Sequence, residues 1–140
     1  MSSRLNPYLS FRGNAREAMQ FYQSVFGGEL TVSTFADVPG MPGVEASEAN
    51  KVMHSTLETP DGLTLMGADT PTHMDYSAPA GMSVSLSGDH EATLRGYWDG
   101  LADGATVGVP LEKAPWGDTF GMLTDKFGTP WLVNIAGQPT

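Results

Sequence analysis

Phe11-Arg12-Gly13-Asn14 opens a segment that runs through Ala18, Met19, Tyr22 and Phe26 to Gly28. Leu86-Ser87-Gly88-Asp89 opens a second, running through Thr93, Leu94, Tyr97 and Leu101 to Gly104. Both read as a strand end, a Gly-Asx turn, a helix and a glycine stop, so one plan occurs twice. In the first segment the apolar residues at 18, 19, 22, 25 and 26 form a one-sided stripe that must pack on something. The second carries Leu94, Tyr97, Trp98 and Leu101, with Gly96 and Gly100 in its interior, and its ends are less sharply marked. Asn14 and Asp89 suit the N-cap, where a side-chain oxygen accepts a free backbone N–H. Glu17, three residues after Asn14, suits a capping box.

The repeat extends outward from the helices. Leu57-Glu58-Thr59-Pro60-Asp61-Gly62 and Leu123-Thr124-Asp125-Lys126-Phe127-Gly128 each read as a strand entering a tight Asx/Gly turn. The strands that follow are Leu63–Ala68 and Trp131–Ile135, and Leu30–Phe35 and Ala105–Leu111 lie between helix and hairpin. Each half is therefore strand, helix, then three strands. The boundaries are about 4–70 for module one and 81–137 for module two, within one domain over 1–140. Two long stretches rich in Pro, Gly and acids, 37–50 and 69–80, interrupt the order; loops of that length often bind or cover ligands.

Composition narrows the function classes. The 140 residues are 40% hydrophobic and 16% charged, a globular balance, and 17 Gly with 10 Pro favour short elements joined by turns. Seven basic against 16 acidic residues give a net charge of -9, which repels nucleic-acid phosphates and anionic membranes. With no cysteine there is no disulfide, thiolate nucleophile or zinc-thiolate centre. No window approaches the ~20 apolar residues of a membrane span, and no apolar core follows Met1-Ser2-Ser3-Arg4. The expectation is a cytoplasmic protein without membrane or nucleic-acid partners.

Two βαβββ units in a chain of this length resemble the vicinal-oxygen-chelate superfamily, which holds glyoxalase I, extradiol dioxygenases and bleomycin-resistance proteins. The finer resemblance is to its PhnB-like branch, also called 3-demethylubiquinone methyltransferase-like. It rests on Pro7-Tyr8-Leu9-Ser10-Phe11-Arg12-Gly13-Asn14-Ala15, Phe21-Tyr22-Gln23-Ser24-Val25-Phe26-Gly27-Gly28, Lys51-Val52-Met53-His54 and Leu65-Met66-Gly67-Ala68-Asp69. In the second half it rests on Trp116-Gly117, on the run from Phe120 to Gly128, and on Trp131-Leu132-Val133-Asn134. The resemblance implies an α+β fold whose eight strands form a half-open sheet around a cleft, with helices outside, and pairing as a homodimer. The methyltransferase name finds no support in the residues, because no Gly-x-Gly-x-x-Gly turn joins a strand to a helix.

Metal enzymes of the superfamily carry His, Glu or Gln ligands on the cleft face of the first and last strands of each module. Those positions fall here on Asn6 or Pro7, Met66, Gly81 or Met82, and Leu132. A divalent ion needs three or four N/O donors, so the usual tetrad is missing and neither metal nor cofactor is expected. Strand alternation puts Leu5, Pro7, Leu9 and Phe11 on one face and Asn6, Tyr8 and Ser10 on the other. Met82, Val84 and Leu86 likewise oppose Ser83 and Ser85, and the polar sets are expected in the cleft. His54, opposite in parity to Leu57, faces the same way, although a strand imidazole also fits a hydrogen-bonded core position. His73 and His90 fall in a loop and a helix's first turn, where solvation is expected. A metal site from His54, Glu58 and Asp69 is conceivable, but no spacing requires it. Asp61 and Asp125 belong to hairpin turns, bonding local backbone.

The candidate ligand-binding residues are Tyr8, Ser10, His54, Met66, Trp116, Phe120 and Met122, with Asn134 as a polar orienter. An apolar pocket with a few convergent polar groups suits a small molecule. Trp116, in Ala114-Pro115-Trp116-Gly117-Asp118, sits where neither helix nor strand periodicity holds it, and reads as a cleft wall or dimer contact. His54 is the candidate hydrogen-bond partner or proton acceptor and Tyr8 the second polar contact. Two rivals stand beside this metal-free reading: a metal-dependent lyase or dioxygenase with rearranged ligands, and a sequestering protein of the resistance type.

Overall fold

A computed structural model describes residues 5–37, 49–71, 76–77 and 80–137. His73 therefore lies outside the described residues, as does most of the 37–50 stretch. The chain divides into two compact units, Met1–Ala78 and Pro79–Thr140. The first contains β1 (Tyr8–Phe11), α1 (Ala15–Phe26), β2 (Glu29–Thr34), a single 3-10 turn (Phe35–Asp37), β3 (Val52–Glu58) and β4 (Thr64–Asp69). The second contains β5 (Val84–Gly88), α2 (Glu91–Ala102), β6 (Thr106–Lys113), β7 (Thr119–Thr124) and β8 (Pro130–Ile135). Both units are thus βαβββ. No helix among the described residues is long and apolar enough to cross a membrane.

Each unit forms a four-stranded sheet, ordered β1-β4-β3-β2 in the first and β5-β8-β7-β6 in the second. The first and last strands of each unit pair in parallel, and the remaining pairs are antiparallel. The opening strand and the strand after the helix therefore lie at opposite edges, and the helix carries the chain from one edge to the other. The apolar stripe of α1 buries Ala15, Ala18, Met19, Tyr22 and Phe26, while one sheet face buries Leu9, Phe11, Leu57 and Leu65. In the second unit Leu94, Trp98 and Leu101 of α2 are buried along with Val84, Leu86, Leu123, Trp131 and Val133. Removing such side chains from water, at roughly 1.5–3 kcal/mol each, is what holds a helix to its sheet.

Three hairpin turns share one geometry. Thr59, Ala114 and Asp125 each accept a bond from the N–H three residues on and donate to the carbonyl four residues on. The closing glycines, Gly62, Gly117 and Gly128, have φ of 84°, 104° and 90°. This is a type I turn closed by a left-handed residue, which favours glycine at that place. Asp125 Oδ1 also accepts the N–H groups of Phe127 and Thr129, as its Asx turn requires, and Oδ2 accepts the indole N–H of buried Trp131.

Several element ends differ from the sequence expectation. β1 starts at Tyr8 and leaves Leu5 fully exposed, so the apolar alternation counts only from Leu9 onward. β5 starts at Val84, with Met82 outside it and 59% exposed. His90, not Asp89, is the N-cap of α2, and its ring lies 2.7 Å from the Thr93 hydroxyl. Asn14 is the N-cap of α1 but makes no side-chain cap bond, so the expected capping box does not form. Asp69 does the capping instead: Oδ1 accepts the N–H groups of Gly13 and Ala15, each at 2.9 Å. A residue distant in sequence satisfies donors that local capping would have served.

Candidate functional site

The face of each sheet turned away from its helix carries the candidate residues. In the first unit the register sets Tyr8 beside Met66, Met66 beside Thr56, and Thr56 beside Thr31. The next pleat brings Ser10 beside Ala68 and His54 beside Ser33. This open face is hydroxyl-rich, with Met66 as its one large apolar side chain among these residues.

His54 shares that face with Thr56 by plain strand alternation, and β3 is irregular only just before it. The pairing with β2 shifts between Ser33 and Thr34, whose partners are His54 and Val52, leaving Met53 as the extra residue of a bulge. Val52 is consequently buried although simple alternation places it on the side of His54. Asp69 Oδ2 accepts the Val52 N–H at 2.9 Å and so fixes the bulged segment from beneath.

Tyr8 and His54 meet across β4, where small Ala68 leaves room; their ring centroids are 5.9 Å apart and their planes 25° apart. His54 Nε2 lies 3.1 Å from the Thr56 hydroxyl, an exchange whose direction follows the tautomer. Nδ1 and the Tyr8 hydroxyl have no protein partner among the described residues. Partial burial raises the Tyr8 phenol above its ordinary value of 10.0, so it presents O–H rather than phenolate at neutral pH. The pair thus offers one donor-acceptor hydroxyl and one imidazole nitrogen on a flat aromatic shelf.

One pleat from Met66, Thr64 pairs with Glu58, and Glu58 with Glu29 on β2. Beside them a shallow depression of about 520 Å³ is lined by Leu5, Asn6, Glu58, Thr59, Gly62, Leu63 and Thr64. Sequence reasoning passed over Thr31, Ser33, Thr56 and Thr64. Their signal was the alternation of Thr31 with Ser33 in β2, of His54 with Thr56 in β3 and of Thr64 with Met66 in β4.

In the second unit, one row of the open face is Ser85, Leu132, Met122 and Val109, and the next is Ser87, Asn134, Phe120 and Glu112. Trp116 is at the tip of the β6–β7 hairpin, 63% exposed, with its ring edge-on to Phe120 at 5.6 Å. The stretch that lacked periodicity is therefore a hairpin turn. Asp118, which closes it, accepts Gly137 N–H on Oδ1 at 2.8 Å and Asn134 Nδ2 on Oδ2 at 3.1 Å. The Gly137 bond first, and the Asn134 amide second, hold the Asp118 carboxyl below the usual aspartate value of 3.8.

The first unit therefore gathers Tyr8, Ser10, His54 and Met66 on one face, and the second gathers Trp116, Phe120, Met122 and Asn134 on another. The donor set suits a metal poorly. Met66 and Leu132, at two of the superfamily's ligand positions, lie on the open faces but offer a thioether and a hydrocarbon. His54, Glu58 and Asp69 do not converge: both Asp69 oxygens are taken by backbone N–H groups beneath the sheet and the residue is 5% exposed. No group of three or more His, Asp or Glu that would hold an ion occurs among the described residues.

Comparison with known proteins agrees with this architecture. Protein YjdN of Escherichia coli K12 is 30% identical, over 96% of each chain. The crystal structure of PA1353 from Pseudomonas aeruginosa superposes with a TM-score of 0.85 at 36% identity, over 98% of this chain and all of the other. The PhnB protein from Bacillus cereus superposes with a TM-score of 0.73 at 28% identity, over 96% of this chain and all of the other. The sequence model of the Glyoxalase/Bleomycin resistance protein/Dioxygenase superfamily matches residues 4–133. With its two βαβββ units and PhnB-like neighbours, the chain belongs to that superfamily.

Proposed function

We propose that this chain is a metal-independent small-molecule-binding member of the superfamily, with each open sheet face a ligand-contacting surface. The observation that carries the reading is the Tyr8–His54 shelf: two stacked rings, each with a polar atom that has no protein partner among the described residues, on a hydroxyl-rich face. His54 acts as hydrogen-bond partner or proton acceptor and Tyr8 as donor. Ser10 and Met66 complete that surface, and Trp116, Phe120, Met122 and Asn134 form the surface of the second unit. The same reading has the chain working in the cytoplasm as a homodimer, without cofactor, nucleic acid or membrane. The charge of -9 supports the exclusion of anionic partners.

The test is an NMR fragment screen of chelator-treated protein with small aromatic and carbonyl compounds. Binders are expected to shift Tyr8, His54, Thr56 and Met66, and to weaken roughly three- to ten-fold in Tyr8→Phe and His54→Ala. Binding that requires added divalent metal replaces this reading with the lyase or dioxygenase. Binding indifferent to His54→Ala removes His54 from it and favours a sequestering role.

A further inference from the structure

We propose that the open face of the second unit selects a planar apolar molecule carrying a hydrogen-bond donor, with Asp118 as the positioning residue that sets this preference by turning the Asn134 carbonyl outward. The inference rests on the reading of that face as a ligand surface and names the class of ligand it takes.

An amide's two ends are chemically opposite, and its surroundings decide which end meets a ligand. A carboxylate only accepts, so the 3.1 Å contact with Asp118 Oδ2 commits the Asn134 NH₂ group to Asp118. Asn134 Oδ1 is left as an acceptor without a protein partner among the described residues, on a strand flanked by Phe120 and Ser87. Asp118 itself is not free to swing. Its other oxygen holds Gly137 N–H at 2.8 Å, and its backbone carbonyl accepts Ala114 N–H at 2.7 Å. Because its carboxyl stays ionised below the usual aspartate range, the arrangement persists at every pH near neutrality.

The apolar part follows from the neighbours. Trp116 and Phe120 present two rings with planes 67° apart, and Trp116 is largely uncovered at the hairpin tip. A flat molecule can lie against the Trp116 ring and place an N–H or O–H on Asn134 Oδ1. A carboxylate or phosphate ligand meets the Asn134 acceptor and the nearby Asp118 charge, and is disfavoured.

The test uses the whole ¹⁵N-labelled chain titrated with indole and with 1-methylindole, which keeps the planar apolar body and lacks the donor. The indole N–H of Trp116 and the side-chain amide of Asn134 report binding, with buried Trp98 and Trp131 as internal controls. Indole is expected to bind roughly three- to ten-fold tighter, the effect of one added hydrogen bond, although the extra methyl group favours 1-methylindole hydrophobically. Asn134→Leu, close in size but without the acceptor, is expected to abolish the preference while 1-methylindole still binds. Asp118→Ala is expected to narrow it.

Equal affinities in the native chain overturn the donor selectivity and leave the face a ligand surface. No shift of Trp116 or Asn134 with either compound overturns the ligand surface as well. If Asp118→Ala weakens both compounds alike and keeps the preference, Asp118 is structural only and its positioning role fails. Should that variant not fold, Asn134→Leu decides the selectivity, and Asp118→Asn, which keeps one acceptor oxygen, tests the positioning role by the same ratio.

Discussion

Replacing Asp69 with alanine removes one side chain and strips three backbone donors of their acceptor. Gly13 and Ala15 open α1, and Val52 sits in the bulged start of β3, each bonded to the carboxylate at 2.9 Å. Loss of a cap costs about 1 kcal/mol, and a buried N–H left without a partner costs about 1–3 kcal/mol. Water reaches part-buried Gly13 but not Ala15 or Val52 as easily, so the expected loss is about 3–5 kcal/mol. Asp69→Asn keeps one acceptor oxygen and should lose about half as much. Because Trp98, Trp116 and Trp131 all belong to the second unit, tryptophan fluorescence does not report on this site. Urea unfolding should therefore be followed by far-UV circular dichroism, with amide exchange at residues 13, 15 and 52 as the local probe. The midpoint should fall with the slope unchanged, and the ring-current shifts linking Tyr8 and His54 should weaken as the bulge loosens. A loss below about 1 kcal/mol, with Val52 exchange unaltered, would refute the view that Asp69 ties helix, bulge and shelf together.

Glu29 and Glu58 face each other across β2 and β3; Glu29→Lys should therefore stabilise the chain by about 0.2–1 kcal/mol, read as a raised urea midpoint, and by less at high salt. Gly28 has φ of 93°, and a Cβ there would overlap the Glu58 carbonyl, so Gly28→Ala should cost at least about 1–3 kcal/mol in the same assay. Ultraviolet difference titration of the native chain against Tyr8→Phe should assign to Tyr8 a transition above pH 10. Its raised value means that the associated stability is complete below pH 10 and is lost as pH rises through the folded value. For Asp118 the sign is opposite: its depressed value gives a contribution present above pH 3.8 and lost as pH falls through the folded value. The Asn134 side-chain amide shift should stay flat down to that range and move only below it.

The doubled plan was legible because helix and hairpin signals are local: the stripe on α1, the Asx-Gly turns and the alternation in β5 each lie within a few residues. Alternation from Leu57 also placed His54 on the open face. What could not be read was anything set by distant partners. Asp69 looked like loop chemistry, yet its carboxylate caps a helix that begins far away in sequence, and that left Asn14 without its expected role. The bulge at Met53 broke the parity that would have put Val52 on the side of His54, whereas Thr56, Thr31 and Ser33 keep plain alternation and become one surface only through cross-strand register. Trp116 stood out correctly as a residue outside periodic structure, but the three-residue turn that presents it, and the Asp118–Asn134 bond beside it, depend on cross-strand register.

The central claim, an organic ligand held without a metal, is tested most directly by native mass spectrometry of untagged chain purified without chelator. No stoichiometric transition metal is expected, with any co-purified mass belonging to an organic molecule whose retention falls in Tyr8→Phe and His54→Ala. About one divalent metal per chain, lost in His54→Ala, would contradict it.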